Sequence, residues 1–181
     1  MKVFYELFIS FSLLVFSITS YGQSKDDIIK DIRSSFQQIN NDKSLKIIKL
    51  KNDEFQRQTT DGGESLTGYF KGDTICKMIV SIGLSFGERQ FEYYLENGQL
   101  FFIYEKEADF SADNSGTLNF KKLDLAFEGR YYINEGKVIE VKIKGQKRFD
   151  EKPIIDSLNN VLWDVKFYKK ILKSHLERPR N

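Results

Sequence analysis

The sequence predicts an α+β fold: an antiparallel β-sheet of six to eight strands built from hairpins, with an N-terminal and a long C-terminal helix packed on one face. Three observations carry this prediction. Residues 90–107 contain two aromatic-rich arms, Gln90-Phe91-Glu92-Tyr93-Tyr94-Leu95 and Leu100-Phe101-Phe102-Ile103-Tyr104, joined through Asn97-Gly98. Asn-Gly supplies the two positive φ angles of a type I′ turn, whose twist matches that of paired strands. Helical periodicity of apolar residues is clear only toward the two ends of the chain, and short β-forming runs broken by glycine turns fill the space between them.

Residues 1–22 read as a secretory signal peptide. Lys2 gives a short basic start, 8–18 is almost wholly apolar or hydroxylic, and Ser20-Tyr21-Gly22 puts small residues at the −3 and −1 positions of a cut before Gln23. The apolar run is short for a membrane span, and no cysteine stands at the cut for lipid attachment. The expectation is a single α+β domain over 23–181, periplasmic or secreted in a Gram-negative bacterium.

Residues 26–40 read as a helix capped by Ser24, with Asp26 and Asp27 placed to favour its dipole. Ile28, Ile32, Phe36 and Ile39 share one of its faces. A strand over 45–51 follows, with 54–59 placed to pair with it, and then a Gly62-Gly63 loop. Runs 66–70 and 74–82 form a hairpin around Lys71-Gly72-Asp73, and 83–87 connects to the aromatic hairpin. Residues 109–116 read as a polar loop, and 118–127 is ambiguous between strand and irregular structure. Runs 129–133 and 137–144 form a further hairpin at Asn134-Glu135-Gly136, in which Ile139, Val141 and Ile143 alternate with Glu140, Lys142 and Lys144. The last helix, 153–176, starts at Pro153, where a missing N–H costs nothing, and gathers Lys166, Lys169, Lys170 and Lys173 toward its C-terminus.

The hairpins resemble one another. Tyr93-Tyr94-Leu95-Glu96-Asn97-Gly98-Gln99-Leu100 aligns with Tyr131-Tyr132-Ile133-Asn134-Glu135-Gly136-Lys137-Val138, and Tyr69-Phe70-Lys71-Gly72-Asp73 is a looser copy. The pattern is similar to one unit of the MORN-like repeats. Those units recur tightly in tandem, whereas these are unevenly spaced, and hairpin physics alone produces two aromatics before a glycine turn.

Charge and composition exclude several functions. A net charge of +2 lacks the basic excess of a dedicated nucleic-acid binder. One cysteine, Cys76, forms no internal disulfide, and with one histidine, His175, it cannot complete a zinc site. His175 near a helix end and Cys76 in a strand have no catalytic partner nearby in sequence, and no phosphate-cradling glycine loop is present. Asp109, Asp113 and Asn114 do not have the spacing of a calcium loop. No cofactor, metal or catalytic residue is therefore assigned. The enzymatic alternative is a carboxylate-based hydrolase using Glu105, Glu107 and Asp109, which alternate along one strand face. Membrane association through the last helix, with Trp163 and Phe167, is disfavoured because its apolar stripe is wide enough to be needed in the core.

If Phe91, Tyr93 and Leu95 face the helices, Glu92 and Tyr94 face away. The same alternation places Tyr69, Tyr132 and Arg130 on that second side. Tyr69, Tyr94, Tyr132, Arg130 and Glu92 then form a row suited to an unknown protein, peptide or glycan ligand, since Tyr offers much contact area for little rotamer entropy. The sequence thus points to an exported non-catalytic binding protein, with an envelope-structural or self-associating protein as the other alternative.

Overall fold

The turn expected at Asn97-Gly98 forms: both residues have positive φ, 50° and 79°. Glu135-Gly136 repeats it at 50° and 71°. These turns belong to a seven-stranded antiparallel sheet in a computed structural model that describes residues 23–55, 61–149 and 158–177. The strands are β1 (Lys46–Lys51), β2 (Glu64–Lys71), β3 (Thr74–Leu84), β4 (Gly87–Glu96), β5 (Gln99–Ala112), β6 (Leu118–Asn134) and β7 (Lys137–Gly145), side by side in chain order. Helices α1 (Lys25–Asn41), α2 (Asn52–Phe55) and α3 (Leu158–Leu176) complete the described elements. The expected signal peptide and the expected first residues of the last helix, 153–157, lie outside the described residues.

The α+β class and the antiparallel sheet are as expected, but the helices do not share a face. Tyr93, Ile103 and Tyr131 pack with Val161, Val165 and Leu172 of α3. Their neighbours Tyr94, Phe102 and Tyr132 pack with Ile29, Ile32 and Phe36 of α1. Adjacent residues of a strand point to opposite sides of the sheet, so α1 and α3 cover opposite faces. The physical reason is that β4, β5 and β6 carry large apolar groups on both sides. A sheet apolar on both faces needs a cover on each.

The helix starts obey local chemistry. Ser24 caps α1, its Oγ accepting the Asp27 amide at 3.2 Å. Residues 52–55 are helical where 54–59 is expected to be strand; Phe55 turns inward and is buried near Tyr168, and 56–60 lie outside the described residues. β5 continues to Ala112, into the segment expected to be a loop, and 118–127 is strand.

The resemblance among the hairpins has a structural counterpart. The register shifts after Tyr69, Tyr94 and Tyr132, the last aromatic or its neighbour before each glycine turn. In each case the returning strand holds one extra residue: Cys76, Phe101 and Ile139. Such bulges break the simple alternation, and they bring Phe101 and Ile139 into the α1 core.

Candidate functional site

The five residues of the expected ligand row occupy the α1 face of the sheet, and α1 closes over part of it. Tyr94 is 0% exposed and Tyr132 is 3% exposed, while Tyr69 is half-buried. The expectation of an uncovered tyrosine face is therefore corrected: both faces are apolar, and this one seats a helix. Glu92 and Tyr94 belong to one buried network. The Tyr94 hydroxyl donates to Glu92 Oε2 at 2.6 Å, Lys77 Nζ lies 2.7 Å from the same oxygen, and Lys106 Nζ lies 2.9 Å from Oε1. Lys77 also donates to Asn40 Oδ1 of α1 at 2.8 Å and stands over the rings of Tyr94 and Tyr69, at 4.9 and 5.5 Å.

The protonation states follow from this packing. Burial alone pushes Glu92 up, but hydrogen bonds from Lys77 and Tyr94 and the Lys77 charge outweigh it and hold the carboxyl below its ordinary range. Tyr94 is pushed far above the ordinary phenol range by burial and by Glu92. Tyr132 is apart from this cluster: Arg33 of α1 donates to its hydroxyl at 3.3 Å and stacks over its ring at 5.6 Å. Arg130 reaches Glu128 at 3.3 Å and covers the Tyr104 ring, and Tyr104 donates to the same carboxylate. Burial, then Glu128, raises the Tyr104 hydroxyl to about 12. The row is thus brought to one face, but its polar groups hold α1 and neighbouring strands. Lys77, Asn40 and Arg33 were missed because their partners depend on register and helix placement, which no local pattern specifies.

The acids of the hydrolase alternative point to the other face, toward the α3 side. Glu105 and Glu107 are both fully buried. Lys147 Nζ stands 2.6 Å from Glu105 Oε1, and the Tyr131 hydroxyl donates to Glu105 Oε2 at 2.8 Å. Arg89 donates twice to Glu107 Oε2, at 2.9 and 2.6 Å, and the Arg148 amide donates to Oε1 at 2.8 Å. Burial raises Glu107, yet the Arg148 amide and Arg89 more than reverse it, so this carboxyl is held below its usual range. A general acid requires the opposite shift. Asp109 accepts from Arg148 at 3.2 Å. The arrangement neutralises acids inside a sheet face.

The open surface lies elsewhere, at the far end of the β5–β6 hairpin. β7 pairs with β6 only from Asn134 back to Phe127, and the last bond along that edge runs from the Gln146 amide to the Ala126 carbonyl. At Gly145, with φ 77°, the chain turns off the sheet, taking Lys147 and Arg148 under it to Glu105 and Glu107. Residues 118–125 of β6 thus have no strand on their outer side among the described residues. Their side chains are apolar and exposed: Phe120 66%, Leu125 55%, Leu118 45% and Leu123 41%.

Phe110, Phe120 and Leu123 line a cleft of about 590 Å³ together with Ser65, Ser81 and Glu88. Phe110 and Phe120 meet edge-on at 5.1 Å. The rim is fixed by backbone approach. Gly62 donates its amide to the Gly83 carbonyl (3.2 Å) and Gly83 donates its own to the Gly63 carbonyl (2.8 Å), and a Cβ on Gly83 would lie 2.5 Å from the Gly62 carbonyl oxygen. Asn52 accepts the Glu64 amide. Glu64 Oε2 is buried with no hydrogen-bond partner among the described residues, and burial raises its carboxyl. The sequence signal for this region is the spacing Leu118-x-Phe120 and Leu123-x-Leu125, interrupted by Lys121-Lys122. No protein-family model, curated protein or solved structure matches the chain.

Proposed function

We propose that the protein is an exported, non-catalytic binding protein that takes an extended, apolar segment of a protein or peptide along the outer edge of β6. The observation that carries this reading is the overhang of β6 past β7, with Leu118, Phe120, Leu123 and Leu125 exposed on it. Strand addition needs unpaired backbone groups for affinity and side-chain sites for selectivity. Both coincide here, beside a cleft whose wall is formed by Phe110 and Phe120. Natural sheets usually protect such edges with charge, proline or a covering element. β1 follows that rule with Lys46, Lys49 and Lys51, whereas on the overhang of β6 the charges Lys121, Lys122 and Asp124 stand among four exposed apolar side chains. The hydrolase alternative loses support from Glu105 and Glu107, which are paired and buried.

The test is selection of short random peptides on the wild-type protein and on a Phe120→Asp/Leu125→Asp variant, in which only exposed side chains change. Enrichment of peptides with alternating apolar residues on the wild type alone supports the reading. Equal enrichment on both proteins, or none on either, overturns it. The same edge also suits a second copy of the chain, the self-associating alternative. Sedimentation at increasing concentration separates that case, since self-pairing requires a mass that doubles and a variant that stays monomeric.

A further inference from the structure

The outer face of α3 combines aromatic and cationic side chains that the core does not use. Val161, Val165 and Leu172 turn inward and are buried. Trp163 is 64% exposed and Phe167 36% exposed, and their rings stack on each other at 5.5 Å with a 7° interplanar angle. Lys166 and Lys170 are exposed on the same side of the helix, within one turn of this pair, and the exposed Lys173 follows further along it. Asp164 is the only acid between 158 and 176, and it is half-buried toward Tyr93 and Tyr168. The apolar stripe expected to serve the core does so through Val161, Val165 and Leu172, and Trp163 and Phe167 lie off it.

We infer that this face of α3 lies on an anionic membrane surface. Lysines interleaved with Trp and Phe along one helical face are what the interface of a negatively charged bilayer accepts: rings enter the headgroup boundary while ammonium groups meet lipid phosphates. Charge complementarity alone would equally suit a soluble anionic polymer, but that partner leaves Trp163 and Phe167 in water. No helix among the described residues is long and apolar enough to cross a membrane, so the contact is parallel to the surface. Leu162, 37% exposed, extends the apolar strip toward a groove of about 690 Å³ beside the Gly98 and Gly136 turns. The α3 face is opposite the face that holds the Ser81–Phe110 cleft, so a protein seated this way keeps that cleft away from the lipid.

Trp163 is the only tryptophan in the sequence, which makes it the reporter. The protein as isolated from an exporting host is titrated with vesicles of phosphatidylglycerol mixed into phosphatidylcholine, with pure phosphatidylcholine vesicles, and with heparin. A blue shift of Trp163 emission with the anionic vesicles only, reversed by salt, is the expected result. In a Lys166→Glu/Lys170→Glu variant, which keeps Trp163 and the same N-terminus, vesicle partitioning should fall by about tenfold or more, on the scale of lysine–anionic lipid attraction. An unchanged thermal midpoint in that variant shows that the fold is intact. No shift with anionic vesicles, an equal shift with neutral ones, equal partitioning of the variant, or binding to heparin in their place would each overturn the inference.

Discussion

Lys77 and Glu92 meet at 2.7 Å on adjacent strands beneath α1, with side chains only 11% and 8% exposed. A buried ion pair contributes little over an apolar pair of its size, but losing one partner strands a charge. Lys77→Met leaves Glu92 with Lys106 and Tyr94, and is expected to destabilise the protein by about 1–3 kcal/mol. Lys77→Met/Glu92→Leu should recover part of that loss. Urea unfolding of the single and double variants measures both.

The pH dependence has a definite sign. Glu92 is held below its ordinary value of 4.5 in the folded state, so the unfolded chain takes up the proton first as pH falls. Its stabilising contribution is present above about pH 4.5 and is lost as pH drops toward its folded pKa. Glu64 behaves oppositely. Burial raises it above 4.5, so its charged form is a burden at neutral pH that fades on acidification. Glu64→Gln should raise the thermal midpoint at pH 7 and lose that advantage at pH 4, whereas Glu92→Gln should lower the midpoint at pH 7 and flatten the acid limb. Thermal melts across that interval check both signs.

Leu172 of α3 is fully buried over Gly68 of β2, where a Cβ would stand 2.7 Å from Leu172 Cδ1. Leu172→Ala should cost about 2–5 kcal/mol and Gly68→Ala about 1–3 kcal/mol. The two together should cost less than their sum, because the added methyl group occupies space the leucine vacates. A double-mutant cycle by denaturant unfolding reads the coupling.

Gly83→Ala pushes a methyl group against the Gly62 carbonyl oxygen. The expected loss is about 1–3 kcal/mol from overpacking, together with displacement of the 61–64 rim. Amide exchange at Gly62 and Glu64 should quicken in this variant, while exchange at Tyr94 and Tyr132 should not change.

Local signals in the sequence were reliable where local chemistry decides the outcome. Asn97-Gly98 marks its turn, Ser24 its cap, and the apolar spacing of α1 its buried side. The placement of the helices was not legible, because Tyr93 and Tyr94 look alike on paper and only the pairing of the whole sheet shows that both faces need cover. Phe101 and Ile139 defeated simple alternation because each is a bulge residue. Glu92 and Tyr94 were grouped on one face correctly, but their partners Lys77 and Asn40 are 15 and 54 positions away along the chain from Glu92 and Tyr94 respectively. The overhang of β6 depends on where β7 stops. That is set by Gly145 and by the pull of Lys147 and Arg148 toward buried acids, a non-local event.

The most direct test of the proposed binding edge is amide hydrogen exchange along β6, measured with and without a peptide of alternating apolar residues. The outward-facing amides of 118–125 should exchange quickly in the free protein and gain protection when the peptide is present, while the amides of 127–134, already paired to β7, stay as they were. Saturating peptide that leaves 118–125 unprotected, or protects a different part of the sheet instead, would contradict the assignment of this edge as the binding site.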